Sequence, residues 1–249
     1  MRRSSLNDGP ADGDMPGVGF VWLGADALDA VERLHRRSIE GVDRGLVKPE
    51  RRSFFESVVA GRGEIVGAVV QGTDAETGVA GGRLIGYGVL LTVLADGEDA
   101  GARIGLGGND GLAKIAGTGV DPGFRGRGLQ RALVRRRIGR AWNLGFRHVF
   151  ATAAPANTVS WRNLMAEGFA IVDVVLAYGS LERYLLYRPV AGSARATAPH
   201  DDVARTWCRS DRTEDVRAAL STGLVGPLWR AHGPEGLDIG FVVPTEARA

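Results

Sequence analysis

The chain has 249 residues, 44% of them apolar and 24% charged, enough for a domain, with or without an appendage, to stand on its own core without disulfides or metal. Cys208 is the one cysteine, which excludes an internal disulfide and a cysteine-based zinc site, and the four histidines lack ligand spacing, so no metal is expected. A net charge of +2 is too even for a nucleic-acid surface, and with only Lys48 and Lys114 as lysines the basic side is arginine, whose guanidinium suits phosphate oxygens.

Residues 1–16 are small, polar and punctuated by Pro and Gly, and read as a disordered lead-in. Met1, Arg2 and Arg3 run into Ser4 and Ser5 rather than an apolar stretch, and no later run is long enough to cross a bilayer. A cytoplasmic protein with no membrane contact is the expectation. Val18–Leu23 predicts a strand, and Asp26 an N-cap for a helix carrying Leu28, Val31 and Leu34 at helical spacing. Pro49 predicts the start of a second helix whose buried face holds Phe54, Phe55 and Val58. Residues 64–71 and 83–94 read as an antiparallel pair, and the Gly- and Asp-rich stretch 95–111 as a loop long enough to be functional.

Residues 114–120 predict a further strand, ended by Asp121-Pro122, and a helix follows from about Gly128 to Leu144. Its apolar face is Leu133, Val134, Ile138, Ala141 and Trp142; Arg131, Arg135, Arg136, Arg137 and Arg140 read as a solvated face. Next come a strand over 148–154, a helix over 157–167, and a hairpin of 169–178 with 182–190. This succession predicts an α/β fold. Beyond a Pro/Ser/Thr linker at 191–200, the tail reads as a small α+β extension of short strands around a helix at 213–220. Its Trp207, Leu220, Leu224, Trp229 and Phe241 ask for packing on the core or, in a homodimer, on a second subunit.

The most informative stretch is Gly119-Val120-Asp121-Pro122-Gly123-Phe124-Arg125-Gly126-Arg127-Gly128-Leu129-Gln130. A strand ends, a Gly-rich turn follows and a long helix begins, so backbone N–H groups and the positive helix end converge on one point, an anion site suited to a pyrophosphate. A plain Gly-rich helix entry is the alternative for these residues taken alone. Asn157 and Ser160, followed by Gly168-Phe169, make a second element.

Val120, Pro122, Arg125, Gly126 and Gly128, in the order Val-x-Pro-x-x-Arg-Gly-x-Gly, together with that second element, resemble the GNAT acetyltransferase superfamily over about residues 17–190. The resemblance implies a GNAT-like mixed, mostly antiparallel sheet flanked by helices, with an acyltransferase domain at 17–191 and a linker and small appendage at 192–249. It implies acetyl-CoA, or another acyl-CoA, as co-substrate and a small-molecule amine as acceptor. The backbone from Arg125 through Gly126, Arg127, Gly128 and Leu129 to Gln130 would hold the CoA pyrophosphate. Val120 would bond the pantetheine arm through its main chain, with Asn157 and Ser160 on the other side. As a plain N-cap, Asn157 needs no ligand.

Three positions depart from the family's habit. Gln130 stands where relatives often have a small residue, Ala116 where many carry an acidic base, and Leu164 where many carry a tyrosine acid. The acid for the leaving thiolate is then sought at Tyr178, beside Gly179 at the tip of the last hairpin, where an aromatic flank is the alternative reading. A base is sought among Asp96, Glu98, Asp99 and Asp110, which otherwise form a solvated turn, or in water. A catalytically silent CoA-binding module and a protein amine acetyltransferase are the competing functions.

Overall fold

The computed structural model describes residues 15–72, 78–79, 82–191, 203–233 and 236–244. Most of the expected lead-in and nearly all of the linker lie outside them.

Strands β1 (Val18–Leu23), β2 (Gly63–Gln71), β3 (Gly78–Val79), β4 (Gly82–Leu91), β5 (Leu112–Val120), β6 (His148–Ala153), β7 (Ala170–Ala177) and β8 (Leu181–Pro189) are joined after residue 202 by β9 (Thr206–Arg209), β10 (Val225–His232) and β11 (Gly236–Val242). The sheet runs β1-β2-β4-β5-β6-β8-β7-β10-β11-β9, with β3 on β4. Among the described residues only β5 and β6 pair in parallel, so the sheet is mixed and mostly antiparallel.

Helices cover both faces, and alternation along the strands divides the core between them. On one face, α1 (Leu28–Ile39) and α2 (Arg52–Ser57) bury Val31, Leu34 and Phe55 against Ile65, Leu84 and Val89. The short α3 (Ala100–Ile104) lies near Phe150 and Leu185. On the other face, α4 (Leu129–Asn143), α5 (Thr158–Met165) and α6 (Thr213–Ser221) close over Val149, Trp161, Ile171 and Leu186.

Several boundaries differ from the sequence reading. Asp26 caps nothing: it sits inside a 3-10 turn at Ala25–Ala27, and α1 starts at Leu28 without a side-chain cap. Pro49 starts no helix. The Glu50 N–H is taken by His35 Nε2 at 2.9 Å, which ties this lead-in to α1, and α2 starts at Arg52. The 95–111 stretch contains α3 and is stapled by Asn109, whose Oδ1 accepts from the Gly101 N–H at 2.9 Å. Trp142 is 47% exposed; it offers its ring to Arg147 rather than to the core.

The tail is built into the sheet. Gly226 of β10 pairs with Ile171 of β7, and Val216, Ile239 and Phe241 share a core with Trp161 and Phe169. The Tyr184 hydroxyl donates to the Ser210 carbonyl at 2.6 Å, and Arg217 reaches the Val174 carbonyl at 2.5 Å. Trp229 lies under the Arg162 guanidinium at 3.7 Å.

Candidate active site

The parallel pairing of β5 with β6 covers only Leu112–Lys114 against His148–Phe150. Both strands continue, β5 to Val120 and β6 to Ala153, so the two part and leave a wedge. On its other edge β5 stays paired with β4, but the register slips between Gly88 and Leu90. Such a bulge bends a strand and turns carbonyls out of the ladder.

Arg137 of α4 fills that bulge. Its Nη1 donates to the Val89 and Ala116 carbonyls at 3.0 Å each, Nη2 to Thr118 Oγ1 at 2.8 Å, and Nε to the Leu133 carbonyl at 3.0 Å. The side chain is 0% exposed, and burial pulls its pKa down to about 9, so it is still charged at neutral pH. Gly88 makes room: a Cβ there would meet the guanidinium carbon at 2.8 Å. The solvated arginine face expected of α4 is therefore corrected at its centre. Its neighbours are engaged too: Arg131 and Arg135 converge on Glu167 (2.7 and 2.8 Å), Arg140 holds Glu64 (2.6 Å), and Arg136 lies over Phe20.

At the rim of the wedge, Asp121 fixes the Gly-rich turn. Its carboxylate accepts from the Gly123 N–H at 3.0 Å and pairs with Arg83 (2.9 Å) and Arg37 (3.1 Å). Burial opposes its ionisation, but the Gly123 amide and the two arginines outweigh burial and hold the carboxyl below its ordinary value. Gly126 and Gly128 take φ of +74° and +78°, and a Cβ on either would meet no protein atom within 4 Å. The turn thus faces open space. The first backbone bond of α4 runs from the Ala132 N–H to the Gly128 carbonyl at 3.1 Å, so the N–H groups of Leu129, Gln130 and Arg131 precede any intrahelical acceptor. Because the Asp121 N–H bonds the Ile85 carbonyl, the peptide groups of Val120, opposite Gly86, face away from β4 toward the wedge.

A cavity of about 1240 Å³ joins these parts. Val120, Arg125, Gly126, Gly128, Leu129 and Gln130 line one end; Asn157, Ser160 and Tyr178 line the same cavity from other elements. Arg127 does not line it and rests over the Phe124 ring at 5.2 Å. Arg125 is tied to the Ser38 carbonyl at 2.7 Å. Gln130 accepts from Asn163 at 2.8 Å, which links α4 to α5. Asn157 caps α5, its Oδ1 accepting from the Ser160 N–H at 3.2 Å.

Leu164 is buried in the cavity wall, so no hydroxyl is offered there. Tyr178, at φ 55°, is held in a conformation few bulky residues adopt; it is 46% exposed and its ring receives Lys48 Nζ at 4.9 Å and Arg183 Cζ at 5.7 Å. Of the four loop acids, Glu98 leaves the solvated turn and pairs with Lys114, which itself lies over Phe150. Asp96, Asp99 and Asp110 are exposed.

Sequence reading missed a second hydroxyl. Because the Glu50 N–H donates to His35 Nε2, the hydrogen of that ring is on Nδ1 and is given to the Tyr87 oxygen at 2.7 Å. Tyr87 keeps its own proton to donate, and it lines the cavity. Burial lowers the His35 pKa and raises that of Tyr87, so both stay neutral. Among the described residues, no group of three or more His, Cys, Asp or Glu side chains is placed to hold a metal.

A family model described as the acetyltransferase (GNAT) family matches residues 30–169. No curated protein matches the chain. Solved structures do. NAA60 of Arabidopsis thaliana in complex with acetyl-CoA is 20% identical at a TM-score of 0.56, over 70% of this chain and 99% of that one. A GNAT superfamily phosphinothricin acetyltransferase of Sinorhizobium meliloti, in complex with acetyl-CoA, is 21% identical at 0.51, over 74% and 94%. A ribosomal-protein alanine N-acetyltransferase of Escherichia coli is 15% identical at 0.51, over 72% and 97%. At these identities the likeness is one of fold.

Proposed function

The chain belongs to the acetyltransferase (GNAT) family, whose model matches more than half of it, and from that premise we propose that it is an N-acyltransferase taking its acyl group from acetyl-CoA and giving it to the amine of a small molecule in the cytoplasm. One observation carries the reading: a single cavity runs from the Gly126–Gly128 turn, through the wedge between β5 and β6, to the Tyr178 hairpin. Its parts fit the donor. Free N–H groups at the start of α4 suit a pyrophosphate, and the Cβ-free face of the turn leaves room for it. The outward main chain of Val120 suits an amide-bearing arm, and Asn157 and Ser160 flank the other side.

In favour of a small acceptor, the segment between α1 and α2 carries Lys48 onto the Tyr178 ring, so that both side chains narrow the cavity they line. Tyr178 is the proposed acid for the leaving thiolate. Among the described residues no helix is long and apolar enough to cross a membrane.

Calorimetric titration with acetyl-CoA, followed by thiol release over a panel of amines, tests both halves. Binding with turnover of small amines is expected. Binding without turnover of any amine would leave a silent acetyl-CoA module, and turnover confined to peptide amines would move the acceptor class to proteins.

A further inference from the structure

Arg183 has no part in the chemistry above. It stands on β8 opposite Val175 of β7, on the same face of the strand as Leu185, and it lines the cavity. Its side chain is only 4% exposed. Nη1 donates to the Glu182 carbonyl at 2.8 Å, while Nη2 is buried with no hydrogen-bond partner. No carboxylate among the described residues pairs with it, and its guanidinium lies over the Tyr178 ring at 5.7 Å. Elsewhere on the cavity Lys114 is matched by Glu98, Arg103 by Asp99 and Asp173, and Arg137 by four oxygens, while Arg125 holds the Ser38 carbonyl.

A buried guanidinium without an anion is costly, and a fold that keeps one against a cavity leaves its partner to a ligand. We propose that the acceptor amine carries a carboxylate and that Arg183 binds it at the Tyr178 end of the cavity. The inference rests on the acyltransferase reading and names the acceptor's class, a free amino acid or close analogue. A planar guanidinium matches a carboxylate edge to edge. Lys48, over the same tyrosine ring, adds a second positive charge, shared with Glu50 at 3.2 Å. Leu185, two residues on along the same face of β8, gives Arg183 an apolar neighbour on the cavity, where a charge pair is stronger than in water. A peptide N-terminus, with its α-carboxyl tied up in an amide, lacks the group.

The test compares amino acids with their own amides as acceptors for the full-length protein and acetyl-CoA. The acid is expected to exceed its amide in kcat/KM by roughly thirtyfold or more. Arg183→Gln and Arg183→Met should erase that ratio by raising KM for the acid, with acetyl-CoA affinity retained by calorimetry. Since the side chain lacks an anionic partner, the Met variant should unfold at or above the wild-type temperature. Equal use of acids and amides, a preference surviving in either variant, or a marked loss of stability in both would overturn the assignment. If no amine is turned over, acyl transfer fails on its own account. Thermal unfolding with CoA and the same acids and amides then reads the subsite: stabilisation by acids alone, lost in Arg183→Gln, supports it, and no acid-specific stabilisation overturns it.

Discussion

The guanidinium of Arg137 donates to the main-chain oxygen of Ala116 at 3.0 Å, so the position where many relatives carry an acidic base is here a backbone carbonyl held by a buried cation. Removing the cation strands the Val89 and Ala116 carbonyls and takes the donor from the Thr118 hydroxyl, while the Leu133 carbonyl keeps its helical bond. Each unmet buried acceptor costs about 1–3 kcal/mol. Arg137→Met should therefore lose roughly 3 kcal/mol or more in urea unfolding. Arg137→Lys, which keeps the charge without the fork, should recover part of that loss yet bind acetyl-CoA more weakly. A Met variant as stable as wild type would show that the bulge holds itself.

Gly128 is the cleanest probe of the turn, because the space its Cβ would enter contains no protein atom. Gly128→Val should weaken acetyl-CoA binding at least tenfold, and the positive φ should cost about 1–2 kcal/mol of stability. Wild-type affinity in a folded Gly128→Val protein, measured by calorimetry, would remove the pyrophosphate from this turn.

Tyr178→Phe removes the proposed acid and keeps the ring on which Lys48 and Arg183 rest. Loss of a positioned acid costs about a hundredfold in rate. We expect kcat to fall by about that factor with acetyl-CoA affinity unchanged. A rate within a few-fold of wild type at saturation would pass the role to Tyr87 or to water.

His35 makes stability depend on pH in a defined direction. Burial holds its folded pKa below the ordinary 6.5, against a smaller opposing pull from Glu32. Above 6.5 the ring is neutral folded or unfolded, and its contribution is complete. As pH falls from 6.5 toward the folded pKa, only the unfolded chain takes the proton, so stability drops; below the folded pKa the loss levels off. The stability gap between wild type and His35→Gln should narrow across that window in thermal melts. A gap independent of pH would mean that folding does not shift the His35 pKa.

A chain ending at Val190 keeps every residue proposed to meet acetyl-CoA, but it uncovers Trp161, Phe169 and Tyr184. It should aggregate or unfold well below the full-length protein in a melting experiment. If it folds, its acetyl-CoA affinity should match the full chain; a folded truncation without affinity would make the tail part of the site.

The Gly-rich turn was legible because its glycines perform a local task, a left-handed backbone, that sequence displays directly. The element order was legible for the same local reasons. Arg137 was hidden by its type, although its spacing from Leu133 and Ala141 puts it on the buried stripe of α4; four like neighbours argued for a wet face. Pro49 and Asp26 misled because tertiary bonds outrank local starts, as the Glu50–His35 contact shows. Arg183 and Tyr87 carried no sequence signal. Their meaning comes from strands distant in the chain that bring them onto one cavity.

The docking of β10 on β7 also sets an order of events at the ribosome. Until the last strands emerge, β7 is an open edge with Ile171 and Trp161 nearby and uncovered, the condition in which nascent chains stick to one another. At about 5–20 residues per second, that exposure lasts several seconds of synthesis. The chain is thus one whose yield in a cell should rise with slower initiation or a holding chaperone.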